Sequence, residues 1–264
     1  MKFSIITVVK NELTKIGLTV KSIKNQTFKD YEHIICDGNS TDGTSEYLKK
    51  NLDDKTLYFR ESDHGIYNAI NKSFKKASGQ YLIFLHSGDF FYSNHTLDLL
   101  SRFIDKNDNY DFYHSNILFY SQRNTKVTRV WKIPVEGNSK LNFLKIAHTT
   151  LCIKKKISEN IFYDEKFRVS SDIDYLYNLC KNFNGKYFDN FFIFMEDQGL
   201  SSSRKYFLIK LKEDIKILYR NFNFSFLFIL LYKLCIKVPG FFKKKKLYNE
   251  NLNIEKNKLF NKKN

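Results

Sequence analysis

Three acidic turns and one acidic helix start carry the chemistry this sequence can do. Asp37-Gly38-Asn39-Ser40-Thr41-Asp42-Gly43-Thr44 follows one apolar run, Asp63-His64-Gly65 follows another, and His86-Ser87-Gly88-Asp89 ends a third, Tyr81 to Leu85. Polar, glycine-bearing turns at the carboxyl ends of buried parallel strands are where open α/β sheets bind ligands. Asp89 is therefore the first candidate site residue. Backbone N–H groups in the 37–44 turn, which feeds a helix, suit a phosphate. Ser170-Ser171-Asp172-Ile173-Asp174 adds two carboxylates at the start of a later helix, where Ser171 and Asp174 fit a capping box.

The elements that position these turns are legible from periodicity. Phe3 to Val9 is β-branched and almost wholly apolar, as a central parallel strand requires. Leu13, Ile16, Val20 and Ile23 recur with helical spacing, and His33 to Cys36 returns as a strand. A helix over Glu46 to Lys50 and a strand over Leu57 to Arg60 come next. Ile66, Ala69, Ile70, Ser73, Phe74 and Ala77 then share one helix face between Gly65 and Gly79. Leu97 to Ile104 reads as a helix and Phe112 to His114 as a strand. Asn116 to Lys132 alternates polar and apolar residues, which predicts antiparallel strands and a mixed sheet. Ile173, Leu176, Tyr177 and Cys180 give a helix ended by Gly185, followed by an aromatic strand, Lys186 to Met195, and a polar loop, Glu196 to Ser203. The expected fold is doubly wound α/β.

Composition narrows the function classes. At 264 residues and 42% hydrophobic the chain can bury a large core. Its four cysteines are far apart, with no C-x-x-C pair, and Lys2 leads straight into a strand pattern. These features predict a reducing cytoplasm, no structural zinc and no signal peptide. The formal charge of +16 is unevenly placed: from Arg204 onward 16 Lys and Arg face 4 Asp and Glu, leaving a net of only +4 for the first 203 residues. A nucleic-acid-binding face is therefore not expected.

The three turn motifs, in this order and spacing, resemble family 2 glycosyltransferases. The likeness extends through Val169-Ser170-Ser171-Asp172-Ile173-Asp174 to Gly199-Leu200-Ser201-Ser202 and is closest to bacterial enzymes of surface-polysaccharide assembly. It implies a GT-A fold and transfer of a sugar, with inversion, from a nucleotide-sugar donor (UDP-sugar favoured) to a saccharide or lipid-linked saccharide acceptor, with Mn²⁺ or Mg²⁺. The implied donor-binding residues are Thr7, Asp37, Asp63, Asn71, His86, Ser87, Gly88 and Asp89, with Asp37 toward the base. The family's Asp-x-Asp is altered, since His86 and Gly88 stand where its carboxylates usually are. Asp89 remains as the metal ligand. The implied catalytic base is Asp172, with His148 and Asp174 on the acceptor side. Asp172 and Asp174 equally suit a helix N-terminus, worth about 0.3–1 kcal/mol each, Asp89 suits a plain turn, and His148 suits a structural histidine.

The expected division is a nucleotide-sugar-binding half (1–115), an acceptor half carrying the base (116–203) and a basic amphipathic tail (204–264). The tail is expected to hold the protein peripherally on the cytoplasmic face of an anionic membrane. Phe224, Phe226, Leu230, Leu231 and Phe241 would supply apolar groups and Lys243, Lys244, Lys245 and Lys246 charge. The same residues also suit a helix packed on the catalytic domain. The altered Asp-x-Asp leaves a second function open, a catalytically weak nucleotide-binding scaffold in a membrane glycan-assembly complex.

Overall fold

A computed structural model of the chain describes residues 1–62, 64–123, 126–132, 134–135, 139–197 and 206–237, together with Tyr248 and Leu252. The first half runs β1 (Phe3–Val9), α1 (Leu13–Lys24), β2 (Tyr31–Asp37), α2 (Thr44–Lys50), β3 (Thr56–Arg60), α3 (Ile66–Lys76), β4 (Tyr81–Phe84), β5 (Phe90–Phe91) and α4 (Thr96–Asp105). The second runs β6 (Phe112–Ser121), β7 (Lys126–Trp131), β8 (Cys152–Lys154), α5 (Ser171–Asn182), β9 (Gly185–Glu196), α6 (Phe207–Phe222) and α7 (Phe226–Lys237).

These strands form one sheet in the order β3-β2-β1-β4-β8-β6-β9-β5, with β7 paired to β6. β3, β2, β1 and β4 are parallel, whereas β8 enters antiparallel between β4 and β6. The sheet is mixed, as the alternation in 116–132 predicts, and that stretch holds the second half of β6 and its antiparallel partner β7. Every residue of β1 is buried because helices cover both faces. Its pleat sends Ile6 and Val8 toward α3 and α5, and Phe3, Ile5 and Val9 toward α1, α2 and α4. Gly79 permits the tight entry to β4, since a Cβ there would lie 2.7 Å from the backbone of Phe3 and Ser4.

β6 runs through residue 115, so the two halves share one sheet. Two expectations change. Gly185 does not end α5, which stops at Asn182; it opens β9, where a Cβ would collide with the Phe112 ring. The tail is not a separate appendage in its first part. Ile217, Leu218 and Ile229 of α6 and α7 are buried in the same core cluster as α3 and α5. The opposite faces of these helices and the turn between them expose large apolar groups, with Phe224 of the turn at 86% and Phe228 of α7 at 77% exposure. Phe241 and the lysines 243–246 lie outside the described residues.

Candidate active site

The turn after β4 is pinned by backbone and hydroxyl contacts, and its side chains are left to face a cavity. Gly88 takes φ +90°, and Asp89 N–H donates to the His86 carbonyl at 3.0 Å. From α1, Thr19 Oγ1 donates to the Asp89 carbonyl (2.7 Å) and accepts from Gly88 N–H (3.0 Å), while the Tyr120 hydroxyl donates to the Gly88 carbonyl (2.8 Å). His86 Nδ1, Ser87 Oγ and Asp89 Oδ2 are buried atoms with no hydrogen-bond partner. Three orphaned polar atoms in one turn are costly unless a ligand completes them. Asp89 Oδ1 accepts from Glu196 N–H at 3.1 Å. Burial pushes the Asp89 carboxyl well above the usual carboxylate range; the Glu196 N–H bond and Lys15 oppose the rise, while the Glu196 carboxylate adds to it. Lys15 bridges Glu196 (2.9 Å) and Glu12 (3.3 Å) beside the turn.

Asp172 reaches the same cavity, which measures about 920 Å³, from the first turn of α5. The expected capping box is not formed: Ser171 Oγ has no partner, and Asp174 pairs with Arg220. Glu213 of α6 satisfies this helix start instead, its carboxylate accepting from the N–H groups of Arg168 (2.7 Å), Val169 (2.9 Å) and Ser170 (2.9 Å). Tertiary structure supplies the cap that the local motif appeared to offer. Asp172 Oδ1 accepts from Ile173 N–H at 2.9 Å. Burial raises the Asp172 pKa, with Lys210 and Lys233 pulling against that rise. Lys233 is itself buried and paired with Asp214 at 2.6 Å.

An aromatic train links the two ends of the site. The His86 ring stacks on His148 (centroids 5.9 Å), and His148 Nε2 bonds the Tyr163 hydroxyl. Tyr163 is stacked between Tyr67 (5.4 Å) and Tyr175 (4.2 Å), with both rings nearly parallel to it. Burial holds His86 down to about 3, with help from His148, and holds His148 down to about 4. Both rings are neutral near neutral pH.

The cavity therefore gathers His86, Ser87, Asp89, His148 and Asp172, and it also takes in His64 and Gly65 from the turn before α3. Other expected site residues stand apart from its walls. Thr7 is buried, joined to His33 Nε2 (2.9 Å) and donating to the Leu85 carbonyl (2.6 Å), so it braces β1 to its neighbours. Asp37 is fully buried and folds its own turn, accepting from Ser40 N–H (2.9 Å), the Ser45 hydroxyl and the Tyr58 hydroxyl (2.9 Å). Burial alone would raise its pKa, but these bonds outweigh it and hold the carboxyl low. Asn71 clamps the Tyr163 backbone and Glu165. Gly88 shapes the turn, Asp174 is committed to Arg220, and Asp63 lies outside the described residues.

Sequence reasoning passes over Lys15, Glu196, Tyr163, Lys210 and Lys233. The acid Glu196, set at the end of an aromatic strand, is the one sequence signal that points to any of them. Among the described residues no group of three or more His, Cys, Asp or Glu is assembled for a metal. The turn still fits a divalent cation that takes most of its ligands from a diphosphate and water, because Asp89 Oδ2 is an open carboxylate oxygen on the cavity wall.

A mixed sheet whose parallel strands end in turns that face a half-buried carboxylate, Asp172, across one large cavity is the GT-A architecture, and solved structures share that fold. The chain aligns with S. aureus TarS residues 1–349 in complex with UDP-GlcNAc at TM-score 0.66, 17% identity, over 98% of this chain and 80% of that one. It aligns with the Pyrobaculum calidifontis mannosyltransferase PcManGT, in complex with GDP-Man and Mn²⁺, at TM-score 0.61 and 11% identity, over 99% and 88%. The chain belongs to glycosyl transferase family 2, whose sequence model matches residues 4–169. A PGL/p-HBAD biosynthesis glycosyltransferase of Mycobacterium bovis is 28% identical over 177 residues, 66% of this chain and 67% of the relative. The Escherichia coli UDP-Glc:alpha-D-GlcNAc-diphosphoundecaprenol beta-1,3-glucosyltransferase WfaP is 30% identical over 163 residues, 61% and 63% of the two chains.

Proposed function

We propose that this protein transfers a sugar, with inversion, from a UDP-sugar to a hydroxyl of a lipid-linked saccharide in bacterial surface-glycan synthesis. The observation that carries the reading is the pairing of one turn with orphaned polar atoms and one raised-pKa carboxylate, Asp172, on the walls of a single cavity. The substrate classes named for TarS and WfaP support the donor and acceptor assignments.

In this reading the donor's diphosphate lies against His86, Ser87 and Asp89. Ser87 and one imidazole tautomer of His86 donate to phosphate oxygens. Held by Asp89, Mn²⁺ or Mg²⁺ would neutralise charge on the departing diphosphate. Asp172 accepts the proton of the acceptor hydroxyl as its oxygen bonds the anomeric carbon and the nucleoside diphosphate leaves. A raised pKa makes it a stronger base than an exposed aspartate. His148, locked to Tyr163, orients the cavity between the two groups.

The exposed apolar faces of α6 and α7 suit attachment at a membrane interface. Leu208, Leu211, Phe224, Leu227, Phe228 and Leu231 are all exposed, and the basic residues of the tail favour anionic head groups. Among the described residues no helix is long and apolar enough to cross a membrane. This reading places the protein peripherally on the cytoplasmic face of the membrane, and the exposed apolar faces and the basic tail support it. The test is transfer from UDP-, GDP- and dTDP-sugars to a lipid-diphosphate saccharide, with the product's anomeric configuration read by NMR. A UDP-sugar giving an inverted product is expected; a retained product, or no transfer with UDP bound, refutes the reading.

A further inference from the structure

We propose that Lys166, Arg168 and Lys210 form a subsite for the phosphate or diphosphate joining the acceptor sugar to its lipid, separate from the turn that faces the donor. This rests on the reading of the protein as a transferase acting on lipid-linked acceptors. All three residues line the cavity that Asp172 enters. Among the described residues their head groups are not engaged in ion pairs, because the carboxylates around them are hydrogen-bonded to other groups. Asp164 accepts from Lys166 N–H (3.0 Å) and faces Arg220 (3.9 Å). Glu165 accepts from Asn68 (2.8 Å) and Asn71 (2.9 Å). Glu213 is held by the three backbone N–H groups that start α5. Lys233, the fourth cation on this wall, is neutralised by Asp214. Among the described residues, no carboxylate forms a salt bridge with Lys166, Arg168 or Lys210, and the Arg168 guanidinium rests over the Tyr206 ring at 5.1 Å.

Position selects the ligand. Lys210 is the charge that acts most strongly on Asp172, so an anion held by Lys210 sits close to the base that receives the acceptor's proton. Phe207, Leu208 and Leu211 flank Lys210 on α6 and are exposed. The ordering is therefore sugar in the cavity, phosphate at the cationic lip and hydrocarbon over the apolar face of α6. A free or membrane-bound lipid phosphate meets all three requirements; a sugar alone leaves the cations unused. The donor's own diphosphate is the other source of the same chemistry.

Calorimetric titration of the full-length protein with farnesyl diphosphate, farnesol and UDP separates these sources. Farnesyl diphosphate is expected to bind with UDP already present, and Arg168→Met/Lys210→Met should weaken it at least 10-fold while leaving the UDP affinity unchanged and farnesol unaffected. Displacement of farnesyl diphosphate by UDP would return the cations to the donor. Unaltered farnesyl diphosphate binding in the double variant, or an equal loss for farnesol, would also overturn the subsite. Retained UDP binding reports that the variant is folded, and Lys210→Gln alone, at a half-buried side chain, serves if the double variant is not. Failure of the wild type to bind UDP would instead defeat the transferase reading and leave the farnesyl diphosphate comparison still decisive for the subsite.

Discussion

Replacing Glu213 with alanine tests whether α6 is structural machinery for the active site. The carboxylate receives three N–H groups at 2.7, 2.9 and 2.9 Å, of which the Arg168 bond is exposed and replaceable by water. The two part-buried, charge-assisted bonds are worth about 1.5–3 kcal/mol each at most. Hydration of the freed groups recovers part of this, leaving a net loss of about 3 kcal/mol. For a chain of this size that lowers the melting temperature by about 6–12 °C. Asp172 stands two residues after the last of these N–H groups, and misplacement by about 1 Å costs on the order of 10²-fold in rate. Glu213→Ala should therefore lose both stability and transfer. Glu213→Gln, which keeps a carbonyl acceptor, should fall between. The assay is a melt with and without UDP, followed by initial rates at saturating donor. An alanine variant melting within about 2 °C of wild type, at full turnover, would show that α5 holds its start without α6.

Further outcomes follow from individual contacts. Asp172→Asn should bind UDP normally yet lose about 10²–10⁴-fold in transfer; activity within a few-fold of wild type would move the base elsewhere. Because burial raises the Asp172 pKa, kcat/KM should fall on the acid side at a pH above the ordinary aspartate range, and an acid limb at the ordinary value would contradict the burial seen here. Asp89→Asn should raise the ligand-free melting temperature, by removing a desolvated carboxyl, while abolishing the Mn²⁺-dependent part of UDP stabilisation; an undiminished Mn²⁺ response refutes Asp89 as ligand. His33 and His114 are held down to about 3 and about 4 by burial, so the unfolded chain binds more protons below the ordinary histidine value of 6.5. Stability should then fall as pH drops from 6.5 toward 4, and a flat melting profile across that window would refute this. Gly79→Ala should destabilise by at least about 1–3 kcal/mol in denaturant titrations, because the added carbon meets backbone rather than a movable side chain.

The first half of the fold was legible because its signals are local. β1, β2 and β4 are short apolar runs ending in polar turns, and α3 shows its buried face in Ala69, Ile70, Ser73 and Phe74. β5 is two residues long, too short to carry a period, and exists because β9 pairs with it. The site divides in the same way. Asp89 and Asp172 stand out by motif and position, and both reach the cavity. Asp37 and Asn71 carry equally suggestive contexts, yet their hydrogen bonds are spent on Ser40, Ser45, Tyr58 and Tyr163, which only the folded chain reveals. Ser171 and Asp174 show the reverse case, a locally correct capping pattern displaced by an acid 39 positions beyond Asp174. Lys233 follows the apolar residues 226–232, and nothing local marks its partner, Asp214, which is on a different helix.

The docking of α6 and α7 against α5 sets an order on biosynthesis. The strands that frame the donor turn, β1 to β4, are all encoded before residue 85, and every partner they need to begin pairing is already in hand. Asp172 is made much later, and Lys233 is about sixty residues later still. At synthesis rates of about 5–20 residues per second, roughly 3–12 s separate the base from the lysine that completes its surroundings. During that interval the nascent chain can hold paired β1 to β4 without a finished reaction centre, since Glu196, whose N–H binds Asp89, also emerges only then. Under the proposed reading, the reaction centre is completed by the same folding event that brings the exposed apolar helices α6 and α7 into place.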